Sequence, residues 1–232
     1  MHQFYFPIPK LVLICSILFL TACGGGGGSS DVPTDTSLVF SVFPPGYFGG
    51  SYSASYSLTG STSDGQNLTA TLLEQSGSTT VFNAQPVITI DSQISITNTT
   101  TGAFAASSSE GYFSSDINNL TVVGSLNITE GVTMTATSTS IIPLTGSIGN
   151  FGNVGSYTLS DGTSATLSWD LLDGFNGKAK LARISVFRDF SGALEFTEVD
   201  TYTISQDGTV SRLDIRITYH QLGNLVVTLS GS

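Results

Sequence analysis

The chain is short of nearly every residue type that carries chemistry. Its two cysteines, Cys15 and Cys23, both lie near the start, so residues 24–232 contain no thiol. That stretch therefore forms no disulfide within itself and offers no thiolate nucleophile. Of two histidines, His2 and His220, only the second lies beyond the first segment. One histidine and no thiol exclude a histidine–cysteine zinc site. No G-x-S-x-G elbow is present to make a serine nucleophile. Basic residues are absent from Leu11 to Gly177, and Lys178, Lys180, Arg183, Arg188, Arg212 and Arg216 crowd the last quarter. With a net charge of −10, this excludes nucleic acid as a partner, because that binding rests on Lys/Arg contacts to phosphate. It equally argues against electrostatic docking on anionic lipid. No amphipathic helical period occurs after the first segment, and only 10% of residues are charged.

What is present is alternation. Tyr52, Ala54, Tyr56 and Leu58 alternate with Ser and Thr, and Val87–Ile90, Ile94–Ile96, Leu120–Val123 and Leu126–Thr129 continue the pattern. A period of two with β-branched residues marks half-buried strands. Asp64-Gly65, Asp161-Gly162, Asp173-Gly174, Asn176-Gly177 and Asp207-Gly208 are turn dipeptides that reach positive φ at little cost. The expected fold is all-β, an antiparallel sandwich or meander. Tyr56-Ser57-Leu58…Asp64-Gly65…Ala70-Thr71-Leu72 is echoed by Tyr157-Thr158-Leu159…Asp161-Gly162…Ala165-Thr166-Leu167 about one small domain later. The echo, and the Gly/Asn-rich stretch 143–155, favour two tandem β domains, 37–143 and 144–232. One larger sandwich is the alternative.

The first segment has its own logic. Lys10 precedes the apolar run Leu11–Leu20, which is too short to span a bilayer and has the length of a signal-peptide core. It ends in Leu20-Thr21-Ala22-Cys23, followed by Gly24–Gly28, Ser29 and Ser30. This resembles the lipobox of bacterial lipoproteins. The resemblance implies a signal peptide over 1–22, cleavage before Cys23, diacylglycerol and a further acyl group such as palmitate on that cysteine, and a flexible tether over 23–36. Gly24 rather than Asp after the cysteine implies export to the outer membrane of the cell envelope. Two or three acyl chains anchor firmly where one holds only marginally.

Candidate sites in the remainder are sparse, and no cofactor is implied. A two-residue turn at Asp207-Gly208 opposes Ile204/Ser211, Tyr202/Leu213, Asp200/Ile215, Glu198/Ile217 and Phe196/Tyr219 on one face. Glu198 and Asp200 then sit among apolar partners. Such local conflicts gather at functional sites, although a bulge turning both outward is the commoner resolution. The pair is the leading candidate for the carboxylates of a glycan hydrolase, with Asp170 and Asp173 as a second pair. His220 opposite Glu195 reads as a cross-strand polar pair. Asp170, Asp173, Asn176 and the backbone around Gly174 could converge on calcium, but the run lacks the alternating acidic ligands of an EF-hand loop. Phe43-Pro44-Pro45-Gly46-Tyr47-Phe48 reads as a buried corner in preference to an exposed sugar- or protein-binding loop. Thr133–Thr139 reads as a solvent-facing strand, and Trp169 as core. The expected function is a lipid-anchored, non-enzymatic envelope module that binds or scaffolds a protein or glycan; an envelope hydrolase is the alternative. An integral outer-membrane barrel ranks last, because few strands sustain a lipid-facing apolar face.

Overall fold

The computed structural model describes residues 31–232. The expected signal peptide, Cys23 and the expected tether up to residue 30 lie outside the described residues. Fourteen strands follow in order: β1 (Phe40–Ser41), β2 (Ser53–Thr62), β3 (Asn67–Phe82), β4 (Gln85–Asn98), β5 (Phe104–Ser114), β6 (Val122–Asn127), β7 (Val132–Thr139), β8 (Thr145–Gly146), β9 (Phe151–Leu159), β10 (Ser164–Asp173), β11 (Ala179–Arg188), β12 (Leu194–Ile204), β13 (Val210–Tyr219) and β14 (Leu225–Gly231). Two 3₁₀ turns, Ile117–Asn119 and His220–Leu222, complete the regular structure.

All-β is correct, but neither the tandem sandwich nor the single larger sandwich forms. Twelve strands close into one antiparallel barrel, β2 to β7 followed by β9 to β14, while β1 and β8 pair separately. The physical reason lies at the edges. Strand β7 pairs with β9, and β14 pairs with β2, so the six-stranded halves satisfy each other's edges. Closure abolishes the open edges that two separate sheets would leave. The two copies of the sequence echo fall on β2–β3 and β9–β10, six strands apart in the ring.

Alternation places the core. Tyr56 and Leu58 on β2, Leu68, Ala70 and Leu72 on β3, and Leu213, Ile215 and Ile217 on β13 are buried inside. Ser53, Ser55, Ser57 and Thr59 on β2 and Asn67, Thr69 and Thr71 on β3 are exposed outside. Thr133, Thr135 and Thr137 belong to this outward polar set. A transmembrane barrel needs the opposite arrangement, an apolar band facing out.

The β14–β2 seam depends on glycine. A Cβ on Gly60 would run into the backbone carbonyl of Thr228, and one on Gly231 into that of Ser57. Gly60→Ala is expected to destabilise by about 1–3 kcal/mol through overpacking. It should show as a lower urea midpoint and faster amide exchange along β14, and an unchanged midpoint would refute the seam's role.

About eight strands let side chains fill a barrel, and twelve leave room. Here the chain itself occupies it. The hairpin turns 63–66, 99–103, 128–131, 160–163, 189–193 and 220–224 lie at one end, the far end. The remaining connections lie at the near end, where the chain enters. Asn176 N–H donates to the Val32 carbonyl, and Val32 N–H donates to Asn176 Oδ1 at 3.2 Å. Thr34 is buried and donates to the Lys178 carbonyl at 2.8 Å. Strand β1 then crosses the near end with Phe40 fully buried, as Ser41 N–H donates to Gln206 and Val42 N–H to Leu144. Residues 31–36, expected as tether, are thus bound to the β10–β11 turn.

Candidate functional site

The site grows from strand parity. On β12, Phe196, Glu198, Asp200 and Tyr202 share the inward face, and the register Phe196↔Tyr219, Glu198↔Ile217, Asp200↔Ile215, Tyr202↔Leu213 is as the sequence predicts. The register shifts only between Thr203 and Ile204, so Ile204 pairs with Val210 rather than Ser211. That irregularity lies beyond the carboxylates and does not rotate them outward, as the sequence reading preferred. Glu198 is 2% exposed and Asp200 4%.

The neighbours explain how two carboxyls lie inside a barrel. On β11, Leu181, Arg183, Ser185 and Phe187 point inward, with Arg183 opposite Asp200 and Ser185 opposite Glu198. Arg183 is the inward cation among the described residues. Its guanidinium lies 4.2 Å from the centre of the Tyr202 ring and 3.7 Å from Glu74 Oε1. Glu74 reaches this group from β3, on a distant part of the ring. It accepts hydrogen bonds from the Tyr202 hydroxyl at 3.2 Å and the Tyr52 hydroxyl at 3.4 Å. The Tyr52 and Tyr56 hydroxyls lie 3.1 Å apart. An Arg–carboxylate–tyrosine cluster therefore ties β2, β3, β11 and β12 together across the interior.

Electrostatics sort the members. Burial, and then the charge of Asp200, pushes the Glu198 carboxyl well above the usual range, only partly offset by Arg183. Glu198 Oε1 has no hydrogen-bond partner among the described residues, which suits a protonated side chain better than a carboxylate. Burial, and then the charge of Glu74, raises the phenols of Tyr52 and Tyr56, so both remain hydroxyl donors.

Between this cluster and the near end lies a cavity of about 60 Å³, lined by Glu74, Arg183, Tyr52, Tyr202, Trp169 and the plug residues Phe43, Pro44 and Tyr47, among others. By volume it holds about four waters. The plug is the predicted buried corner. Phe43 and Phe48 pack edge-on at 4.8 Å, as do Phe48 and Phe113 at 5.2 Å, while Tyr47 and Tyr52 lie tilted at 5.0 Å. Trp169 is core, as expected, packed against Gly152. Glu198 and Asp200 are not among the residues lining the cavity.

The other candidates do not converge with this cluster. Asp170 shares the outward parity of β10, yet is buried, and burial raises its carboxyl pKa. Asp173 instead holds the incoming chain. Its Oδ1 accepts from Phe175 N–H at 2.7 Å and Thr34 N–H at 3.2 Å. Slight burial pushes this carboxyl up, but these bonds outweigh it and its pKa falls. Asn176 is likewise committed to Val32. No group of three or more His, Cys, Asp or Glu able to hold a metal occurs among the described residues. His220 lies in a 3₁₀ turn after β13 and bonds Thr197 at 3.0 Å and Asn224 at 3.1 Å, where a pairing with Glu195 was expected.

Sequence reasoning missed the cluster of Glu74, Arg183, Tyr52, Tyr56 and Tyr202, which Arg183 joins to the acidic pair. Parity held the signal for two of them: Glu74 continues Leu68-Ala70-Leu72, and Arg183 interrupts Leu181…Phe187.

No protein-family model matches the chain, and no curated protein matches it. Among solved structures, a chain from Parabacteroides distasonis ATCC 8503, provisionally described as a lipoprotein, matches with a TM-score of 0.31 and 9% identity, over 82% of this chain and 96% of that one. A score that low does not establish a shared fold.

Proposed function

We propose that this chain is a lipid-anchored protein of the bacterial envelope whose closed barrel serves as a non-enzymatic binding or scaffolding module. The observation that carries it is the attachment of residues 31–42. The chain is bolted to one end of the barrel only eight residues after Cys23. An acylated Cys23 would therefore hold that end and present the wall and far end to a protein or glycan partner. Gly24 after the cysteine supports sorting to the outer membrane. The Ser/Thr exterior supports a barrel held at the membrane rather than one spanning it.

The hydrolase alternative rests on Glu198 with Asp200. These carboxyls are two residues apart on one strand face, behind the cavity wall, whereas glycoside hydrolysis needs two carboxyls flanking a bound sugar.

The test is Cys23→Ser in cells fed an alkyne-tagged palmitate analogue. The wild-type chain should incorporate the tag and float with membranes. The variant should lose the tag and become extractable by carbonate. Retention of the untagged variant in the membrane would sink the reading and favour a spanning barrel.

A further inference from the structure

Exposed large apolar side chains are distributed unequally between the two ends. At the near end they occupy four connections that are consecutive around the ring. Val81 (70% exposed) precedes the β3–β4 turn, and Ile117 sits in the β5–β6 connection. Ile141 (57%) and Leu144 follow between β7 and β9, Phe151 (77%) opens β9, and Phe175 lies in the β10–β11 turn, to which Val32 is hydrogen-bonded. At the far end the exposed set is Phe104, Ile128, Phe190 and Leu222, in two pairs of turns separated by turns 63–66 and 160–163, which carry none. Contiguous apolar surface on a monomer marks an interaction site, while scattered single residues do not.

The chain shows what covers the arc. Seven residues, Gly24 to Ser30, separate Cys23 from Asp31, and at full extension the eight Cα steps reach about 28 Å. The bilayer that holds an acylated Cys23 is therefore within one tether length of this end. Resting on Cys23 as the anchor, we propose that the arc docks on that bilayer, with Phe151, Ile141 and Val81 entering the boundary between headgroups and acyl chains. The charges beside the arc select the lipid. Asp31, Asp35, Asp116 and Asp173 lie at this end with Lys178 and Lys180, so the balance is negative, and a zwitterionic surface fits where an anionic one repels. The barrel then sits on the membrane as a fixed body, with the far end pointing away.

Cleavage before Cys23 removes Cys15, and an acylated Cys23 is blocked, so any introduced cysteine is then the unique thiol and the test is direct. The full acylated chain carrying Phe151→Cys or, separately, Phe190→Cys is labelled with an environment-sensitive fluorophore and reconstituted in phosphatidylcholine vesicles containing brominated lipid. Docking predicts quenching at position 151 at least threefold greater than at position 190. If the protein floats with the vesicles and the two positions quench equally, docking is overturned while the anchor stands. If it does not float, the anchor fails and docking falls with it.

Discussion

Arg183→Met is expected to lower the free energy of unfolding by about 3–5 kcal/mol, the cost of removing one partner from a buried charged group. The arginine is the cation that the interior offers to Glu74, 3.7 Å away, and to Asp200, its cross-strand neighbour. Its side chain is 16% exposed and that of Glu74 6%, so water cannot take its place. Methionine fills much of the volume but leaves Glu74 to its tyrosine hydroxyls and Asp200 opposite a thioether, with the cation gone and each carboxyl to be protonated or hydrated at a cost. The geometry also distinguishes charge from shape. Arg183→Lys keeps the charge but loses the planar stack over Tyr202, 4.2 Å away, and should fall between wild type and Met. Urea unfolding of Arg183→Met, Glu74→Gln and the double variant closes a cycle, and a coupling above about 1 kcal/mol is expected for groups in contact. Additive losses would mean that Arg183 stabilises by packing alone.

The same cluster shows how far the sequence could be read. Strand parity follows from covalent geometry, so the inward set Phe196, Glu198, Asp200, Tyr202 and the register with β13 were legible to within one bulge at Thr203/Ile204. The buried aromatic corner at Phe43–Phe48 was legible because prolines beside large rings cannot continue a strand. Topology was not legible. The echo between β2–β3 and β9–β10 was visible, but a repeat pattern is the same whether each half closes on itself or on the other. What decides it is the pairing of β7 with β9 and of β14 with β2, contacts between segments distant in sequence. The placement of Glu198 failed for a related reason. A carboxyl among isoleucines looks unfavourable until Arg183 is known to face the same interior from β11, and the Glu74 that Arg183 also meets comes from a strand more than 100 residues away. Likewise Asp173 and Asn176 resemble a cation-binding loop in sequence, and only the returning segment at Val32 and Thr34 shows that their oxygens are already used.

Glu198 makes stability depend on pH in a direction opposite to that of most carboxylates. Its native pKa is raised well above the ordinary 4.5 by burial and then by Asp200. Between those two values the folded chain binds a proton that the unfolded chain has released, so stability falls as pH rises. The contribution is fully present below about pH 4.5 and is lost as pH climbs through the raised native value, at about 1.4 kcal/mol per unit for one proton. The groups facing this carboxyl are Asp200 on its own strand, Arg183 and Ser185 on β11, and Tyr219 on β13. Tyr219 is itself raised by burial and then by the Glu198 charge, so it remains a neutral phenol through the range that matters. Glu198→Gln has the shape of the protonated side chain and cannot ionise. It should match wild type near pH 5, exceed it increasingly toward pH 9, and show a shallower decline. Asp170, also raised by burial, adds a slope of the same sign, so Asp170→Asn serves as the companion variant and the two differences should add. Urea midpoints at unit steps from pH 5 to 9 read the effect. Parallel curves for wild type and Glu198→Gln would show that Glu198 does not bind its proton more tightly in the folded barrel.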